Sequence, residues 1–382
     1  MARSLGIAVG LMAVASAAVF SWKQKWFTPN PTDPGATDQP RSESSKARPA
    51  PFIRKGHAGG YVLFSPMLGR RTFLVNRRGE VVHSWESAYK AGRTAYLLPD
   101  GSLLRAGRAK PYPKFQKLGG LGGRLQRIEP DGTVTWDAFF GSETYAAHHD
   151  IEPLPNGNVL LLAYEHLSRQ EATELGRNPE DGTNDVFIDT IVEIAPSGKG
   201  RADVIWRWSP LNHLVQDFDD SLPTYGEISN HPDRIDFNYV TRNDGDWLHF
   251  NSIDYHPERD QILVSSHAFS ELWIIDHSTT EEEARADRGG RTGKGGRLLY
   301  RWGNPLAWKA GTESDRQLFR QHDARWIPEG YPGAGNITCF NNGWTRPEIE
   351  YSTVLELIVP TTSRNGYRND SPTLFPGRIR SG

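Results

Sequence analysis

Cysteine is almost absent from this sequence. Cys339 is the only one in 382 residues, so no disulfide can form within the chain and no paired-cysteine zinc or redox motif is present. An excess of charge of one sign is also absent, since 44 basic residues stand against 46 acidic residues. A nearly neutral protein has no overall field to gather nucleic acid or steer an anion. Any anion site must therefore be local, and we expect no nucleic-acid partner.

Long apolar runs are confined to the N-terminus. The run from Leu5 to Phe20 follows a basic residue, as in a secretory signal. Trp22 and Trp26 come after it, as at the membrane interface of an uncleaved anchor. Residues 1–27 are therefore predicted to be a signal peptide or an N-terminal membrane anchor, which would attach the protein to a membrane. We expect the protein to be exported, and to be periplasmic or anchored outside the cytoplasm.

Helical periodicity is scarce in the rest of the chain. Residues 28–51 are rich in Pro, Ser and charged residues with almost nothing to bury, so they are predicted to be a disordered linker. Residues 52–382 contain short alternating strands separated by turn residues. This remainder is predicted to be a single all-β domain.

Two hairpin phrases recur along that domain. The first is an apolar strand, a turn, and a strand that ends in Trp85, Trp136 or Trp206. The second is a Pro-containing turn followed by an apolar strand, at Leu98–Gly101, at Leu154–Gly157, and more loosely at Tyr255–Pro257 and Ile327–Pro328. Paired hairpins that alternate at about fifty residues are typical of the four-stranded blades of a β-propeller. A β-sandwich is the alternative, but it gives no reason for the two phrases to alternate.

The repeat predicts a short propeller. It gives four complete blades and the opening strand of a fifth, at residues 353–359. Because a ring must close to protect its edges, we expect either that residues 60–66 contribute to closure or that a final segment is missing. Insertions at 168–185, 211–246 and 279–295 interrupt the repeat, and the third is predicted to be disordered.

Aligning the second phrase on its turn proline shows the strongest functional signal. Six positions before that proline, the four copies carry Arg93, His149, Asn251 and His322, while His249 lies two residues before Asn251 on the same strand face. The innermost strand of a blade lines the central channel, so these side chains are expected to converge there. A water-filled channel would by itself explain one polar residue. Three histidines and an arginine in register favour a functional site.

Four segments resemble the bacterial aryl-sulfate sulfotransferase family. They are His148-His149-Asp150, Trp247–Ser252, Ile262–Ser266 and Gln321-His322-Asp323. The resemblance covers most of residues 58–360. It implies a six-bladed propeller with its active site in the central channel, and sulfuryl transfer from a phenolic sulfate ester to a phenolic acceptor without a nucleotide donor. It further implies a ping-pong route through sulfated His322, with His149 and His249 as the other catalytic histidines and no cofactor.

The chemistry gives a reason for these residue types. Electrophilic sulfur needs a nucleophile that can also leave, and its anionic oxygens need fixed donors, which His149, His249 and Asn251 would supply. The sequence departs from the pattern of the family at one charged position, because His267 follows Ser265-Ser266 where the family has an arginine. Arg93 and Arg108 are the candidate replacements for binding the substrate. 

Two other classes of function remain open at this point. A non-catalytic propeller would bind a sulfated or phenolic ligand or a protein partner through the same channel. A metal-dependent hydrolase would use the three histidines as zinc ligands. No carboxylate is in register with them apart from Asp150 and Asp323, whose side chains are expected to point away, so the metal alternative is the weakest and no metal is predicted.

Overall fold

The structure is a computed structural model that describes most of the chain beyond its N-terminal region. The described residues are 60–109, 112–181, 185–242, 244–362, 366–368 and 377–380. The predicted leader at 1–27 and the predicted linker at 28–51 lie outside them, so both stay predictions. Among the described residues, no helix has the length and the apolar character needed to cross a membrane.

Five antiparallel sheets form the domain within the described residues, and they are numbered here as blades in chain order. Blade one contains β1 (Tyr61–Phe64), β2 (Arg71–Asn76) and β3 (Val81–Glu86). Blade two contains β4 (Ala91–Leu97), β5 (Leu103–Arg108), β6 (Gly123–Ile128) and β7 (Val134–Phe139). Blade three contains β8 (Tyr145–Pro153), β9 (Val159–Leu167), β10 (Val186–Pro196) and β11 (Ala202–Trp208).

The remaining elements form blades four and five. A parallel pair, β12 (Leu214–Val215) and β13 (Ile235–Asp236), precedes blade four. Blade four contains β14 (Phe250–His256), β15 (Gln261–Ser266), β16 (Glu271–Asp276) and β17 (Tyr300–Trp302). Blade five contains β18 (His322–Trp326), β19 (Ile337–Asn341), β20 (Thr353–Ile358) and β21 (Arg378–Ile379). The α-helices are α1 (Arg169–Glu174) and α2 (Glu281–Ala284), and 3-10 turns lie at Pro113–Phe115, Pro179–Asp181, Pro210–His213, Ile228–Asn230, Pro305–Trp308 and Glu313–Asp315.

The blades are placed radially around a channel. The first strand of one blade packs beside the first strand of the next, so that β4 contacts β1 and β8, and β14 contacts β8 and β18. Each predicted hairpin is present, with the Pro-turn phrase forming the inner pair of strands and the Trp phrase the outer pair. The predicted all-β propeller is therefore confirmed, with five blades described rather than the six that the resemblance implies.

Two details of the prediction were wrong. The strand at 353–359 does not open a further blade, because β20 pairs with β19 and β21 as the third strand of blade five. The insertion at 279–295 is folded rather than disordered. Thr280 caps α2 in a capping box with Glu283, and Thr292 donates both its backbone N–H and its hydroxyl to Asp276. Side-chain hydrogen bonds of this kind satisfy the polar groups of the loop, so that the loop can be ordered without an apolar core.

Blade four shows how the sequence builds a central blade. Every residue of β15 and β16 is buried, since neighbouring blades cover both faces of the sheet. The sequences of strands covered on both faces are nearly continuous apolar runs, without alternation of apolar and polar residues. The polar residues among them are paired, as where Arg301 Nε donates to Glu271 Oε1 at 2.9 Å with both side chains fully buried.

Hydrogen bonds between inner strands hold the channel wall in place. Asp150 Oδ2 accepts the backbone N–H of Ile253 at 3.0 Å, and Ser252 Oγ accepts that of Ala324 at 2.9 Å. Arg325 of blade five then reaches back across blade four, donating to Asp150 Oδ2 and to the Ile253 carbonyl, both at 2.7 Å. Hydrogen bonds thus link blades three, four and five beside the predicted site residues.

Candidate active site

A cavity of about 390 Å³ lies at the inner strands. It brings together five of the seven predicted site residues, Arg93, His149, His249, Asn251 and His322. Thr94, Gly119, Gly120, Asp150, Asp323 and Arg325 complete its lining. The expectation that the inner-strand residues converge on one channel agrees with this geometry. 

The inner strands of blades two to five are irregular at or beside their site residues. The pairing register shifts between Ala91 and Ala95 in blade two and between His148 and Ile151 in blade three, and equivalent shifts occur in blades four and five. Arg93 and His149 have φ values of 111° and 45°, a region that residues other than Gly seldom adopt. A β-bulge re-aims a side chain in this way, so the bulges turn the site residues into the channel.

His322 is oriented by an amide. Its Nδ1 lies 2.7 Å from Asn342 Oδ1, and because an amide oxygen only accepts, Nδ1 carries the hydrogen. The lone pair of the neutral imidazole is then on Nε2. Asn342 follows β19, the strand that pairs with β18, so one hairpin supplies both the imidazole and the group that fixes its tautomer.

His249 is oriented by a carboxylate. Its Nδ1 donates to Asp246 Oδ2 at 2.5 Å, and the Asp246 side chain is 3 % exposed. Asp189 accepts the backbone N–H groups of His249 and Phe250 at 3.1 and 2.8 Å. The ring, its partner and its backbone are therefore all fixed, with Nε2 as the ring nitrogen that has no protein partner in these contacts.

His149 is oriented by another imidazole. Its Nδ1 lies 2.9 Å from Nδ1 of His148, whose Nε2 is 3.3 Å from Asp189 Oδ1. His148 also stacks on Tyr164, with ring centroids 3.7 Å apart. Burial, together with the imidazoles of His148 and His249, lowers the pKa of His149 well below its usual value. His149 is therefore neutral at physiological pH.

A glycine pair forms one wall of the cavity. His149 donates its backbone N–H to Gly120 O at 2.7 Å, and Gly120 has φ of 70°. A Cβ on Gly120 would lie 2.1 Å from His149 Cε1, and one on Gly119 would lie 3.4 Å from His249 Cε1. Position 120 therefore requires glycine for the backbone to approach the His149 ring so closely, whereas position 119 would leave an ordinary van der Waals contact with His249.

A family model for arylsulfotransferase (ASST) matches residues 70–356, a span that contains every residue lining the cavity. The chain belongs to the arylsulfotransferase family. Membership supports aryl sulfotransferase activity in general, with small aryl compounds as substrates. No curated protein matches the chain.

The chain is similar to several solved structures. Hydrazine synthase of Kuenenia stuttgartiensis is 16 % identical, with a TM-score of 0.41, and the alignment covers 78 % of this chain and 67 % of that one. A hypothetical selenium-binding protein from Sulfolobus tokodaii is 12 % identical, with a TM-score of 0.43 and 78 % and 60 % coverage. The β-propeller domain of Myceliophteria thermophila Cps50 (Swd1) is 10 % identical, with a TM-score of 0.31 and 74 % and 76 % coverage.

His267 occupies the position at which the arylsulfotransferase resemblance implies an arginine. Its ring lies 4.9 Å from that of His249 and 5.3 Å from that of His322, behind the cavity lining. Burial and the neighbouring imidazoles of His249 and His322 lower the pKa of His267 to about 2. A neutral imidazole cannot replace the charge of a guanidinium.

The two candidate replacements differ in position. Arg93 lines the cavity, and its guanidinium contacts Met67 Sδ at 2.9 Å. Arg108 lies at the exposed end of β5 and is not among the lining residues. Arg320 brings a further guanidinium behind His267, where it donates to the His267 carbonyl at 3.3 Å. Among these, Arg93 is placed to meet a bound anion directly.

Asn251 lines the cavity and also makes a hydrogen bond to the next blade. Its Nδ2 donates to the backbone carbonyl of Gln321 at 2.7 Å. One N–H of the amide is therefore used to link blades four and five. The side chain is 9 % exposed and lines the cavity, so it has a structural contact as well as a place in the site.

Sequence reasoning missed the groups that orient the imidazoles. Strict alternation along the strand would point His148 and His149 to opposite faces, but the bulge places the two rings in contact. Asp246 precedes His249 by three residues, a spacing that would have suggested an ion pair. Asn342 follows the neighbouring strand β19, and no pattern in a single sequence pairs it with His322. 

The three cavity imidazoles are each hydrogen-bonded through Nδ1 to a different partner. The partner of His249 is a carboxylate, whereas the partners of His149 and His322 are an imidazole and an amide. Within the described part of the chain, no group of three or more His, Cys, Asp or Glu side chains is arranged to hold a metal ion.

Proposed function

We propose that this arylsulfotransferase moves a sulfuryl group from a phenolic sulfate ester to a phenolic acceptor by a ping-pong route through sulfated His322. The observation that carries the proposal is the His322–Asn342 contact at 2.7 Å. The amide oxygen of Asn342 accepts the hydrogen on Nδ1. In the neutral imidazole the lone pair is then on Nε2, and its direction is fixed. This is the state that a nitrogen nucleophile requires.

The transfer takes place in two displacements. In the first, His322 Nε2 attacks sulfur, the electron pair of the S–O bond goes to the aryl oxygen, and that oxygen takes a proton from a cavity imidazolium, so that the phenol leaves as the N-sulfonate forms. In the second, an acceptor phenol attacks the same sulfur and gives its hydroxyl proton to that imidazole, while the electron pair of the N–S bond returns to Nε2. Arg93 lines the cavity and supplies a positive charge for the sulfuryl oxygens, in the manner of an oxyanion site.

Trp344 is the candidate contact for the aryl ring. It follows Asn342 by two residues, is 58 % exposed, and lies with its ring 6.4 Å from that of His267. A large exposed aromatic is suited to stacking on an aryl substrate. This contact supports a phenolic donor or acceptor rather than an aliphatic one.

The alternative is a propeller that binds an aryl sulfate without turnover. The neutral His267 favours it, because this position lacks the charge that the family arginine would supply. In that case p-nitrophenyl sulfate would bind saturably in the presence of excess phenol, and no nitrophenolate would appear.

The decisive experiment is mass spectrometry of the protein after incubation with an aryl sulfate and no acceptor. We expect one sulfuryl mass on the peptide that contains Gln321-His322-Asp323, and we expect added phenol to remove it. His322→Asn should abolish both the adduct and exchange between phenols. His256→Asn, at the far end of β14 and outside the cavity lining, is the matched control. An adduct on His149, or exchange that survives in His322→Asn, would overturn the assignment.

We also propose that the protein is exported, on the basis of the apolar run at residues 5–20 and the flanking tryptophans. A fusion of residues 1–27 to a reporter that folds only outside the cytoplasm should be active. A reporter that stays inactive would contradict export.

A further inference from the structure

We propose that His249, held by Asp246, carries the proton that the reaction moves, giving it to the departing phenol and taking it back from the incoming one. This inference rests on the proposed function and assigns the acid–base group of the same site. In it, His249 is a catalytic residue and Asp246 is a positioning residue.

The partners of the three imidazoles distinguish this group. His322 is held by an uncharged amide and His149 by an uncharged imidazole, whereas His249 is held by a carboxylate. A carboxylate against Nδ1 stabilises the imidazolium, which carries a hydrogen on Nε2 as well. His249 is therefore the cavity imidazole best suited to exist as a proton donor. 

Backbone hydrogen bonds fix the position of Asp246 beside His249. Its neighbours Gly245 and Trp247 both bond to Phe187 at the start of β10, through N–H···O contacts of 2.8 and 3.2 Å. The loop that carries Asp246 is thus pinned on either side, and the carboxylate is 3 % exposed. An acid–base group whose orientation is fixed in advance avoids the cost of reorganisation in the transition state.

The proton and electron pairs balance over the cycle. In the first displacement the electron pair of the S–O bond goes to the aryl oxygen, which takes the Nε2 hydrogen of the His249 imidazolium and leaves as a neutral phenol. In the second displacement neutral His249 accepts the hydroxyl hydrogen of the acceptor as its oxygen bonds to sulfur. His322 loses the sulfuryl group and His249 regains its hydrogen, so the enzyme returns to its starting state.

The test compares donors whose phenols differ in acidity. A nitrophenolate leaves without help, whereas phenolate needs a proton, so the loss of an acid affects phenyl sulfate more. We expect Asp246→Asn to slow adduct formation on His322 by about 100-fold with phenyl sulfate and by less than about tenfold with p-nitrophenyl sulfate. Asp246→Glu should restore part of the phenyl sulfate rate.

Asp260→Asn is the matched control. Asp260 also holds an imidazole through Nδ1, that of His277 at 2.7 Å, but the pair lies outside the cavity lining. Both donors should keep their wild-type rates in this variant. If Asp246→Asn does not fold, His249→Gln must show the same selective loss.

The outcomes separate the two proposals. Equal losses with both donors would show that Asp246 is merely structural and would overturn the proton assignment. If wild-type protein forms an adduct with neither donor, the proposed function itself fails. A normal adduct with p-nitrophenyl sulfate beside a slow one with phenyl sulfate supports both.

Discussion

Blade four and blade five have the same four-strand pattern but different surroundings. Blade four is enclosed, and every residue of its two central strands is buried. In blade five, Val354 of β20 is 74 % exposed, and on blade one Leu68 is 71 % exposed. The site lies across this boundary, because His249 precedes a strand of the enclosed blade and His322 begins a strand of the exposed one. His322, the proposed nucleophile, is therefore held by a blade that has less packing around it.

The hydrogen bonds between blades show the same contrast. Asp150 and Ser252, each in the position after a channel residue, accept a backbone N–H from the next blade. Asp323 occupies the equivalent position in blade five, but its side chain is 70 % exposed and accepts from Arg325 Nε. Within the described residues, blade five is hydrogen-bonded to blade four through Gln321, Ala324 and Trp326. Arg325 extends these contacts to Asp150 of blade three.

The largest expected effect is on the free energy of unfolding, when the contacts of Arg325 are removed. Arg325→Met would leave Asp150, Glu152 and Asp254 without the guanidinium that now lies within 2.7, 3.3 and 3.7 Å of them. Removing one partner of a buried ion pair typically costs about 3–5 kcal/mol, and we expect a loss of that order in the free energy of unfolding measured with urea.

Arg71→Met is the control for this variant. Arg71 also pairs with a carboxylate, Glu86, but both side chains are more than half exposed. Exposed pairs contribute less than about 1 kcal/mol. A similar small loss in Arg325→Met would show that the inner network does not hold blade five.

The sequence predicted the hairpins because their turns and strands are local. Leu98–Gly101 and Leu154–Gly157 specify turns within a few residues, and β5 and β9 follow them as expected. The convergence of Arg93, His149, His249 and His322 also followed from the repeat, because equivalent strands take equivalent places in a ring.

The contacts that orient the site could not be predicted in this way. The bulge in the inner strand of blade three changes the direction in which the His148 side chain points. A prediction that assumes strict alternation of side chains between the two faces of a strand does not include such bulges. Asp189 reaches His148 and His249 from a strand of another hairpin, and Asn342 reaches His322 across β18 and β19. Such pairings are set by tertiary structure, so a single sequence has no signal for them.

The second prediction concerns Arg93, the positive charge on the less enclosed side of the cavity. If its guanidinium stabilises charge on the sulfuryl group, Arg93→Ala should lower turnover by more than about tenfold, since one such donor contributes a few kcal/mol. Arg93→Lys should rescue only part of this, because an ammonium lacks the paired planar donors.

Arg108→Ala is the matched control for Arg93→Ala, since Arg108 is an exposed arginine on the same blade. Its turnover should equal that of the wild type. Full activity in Arg93→Ala would instead direct attention to His267 and to the guanidinium of Arg320 behind it.

The smallest effect is expected on the exposed face of blade five, and it sharpens the contrast between the blades most directly. Val354→Thr and Val264→Thr make the same change of a methyl to a hydroxyl on blade five and blade four, at side chains 74 % and 0 % exposed. A buried hydroxyl without a partner costs about 1–3 kcal/mol, whereas exposed substitutions usually stay within about 0.5 kcal/mol. Urea unfolding of both variants should therefore show a clear loss for Val264→Thr and almost none for Val354→Thr. Comparable losses would mean that the face of blade five around Val354 is covered in solution, and the two blades would then be equally enclosed.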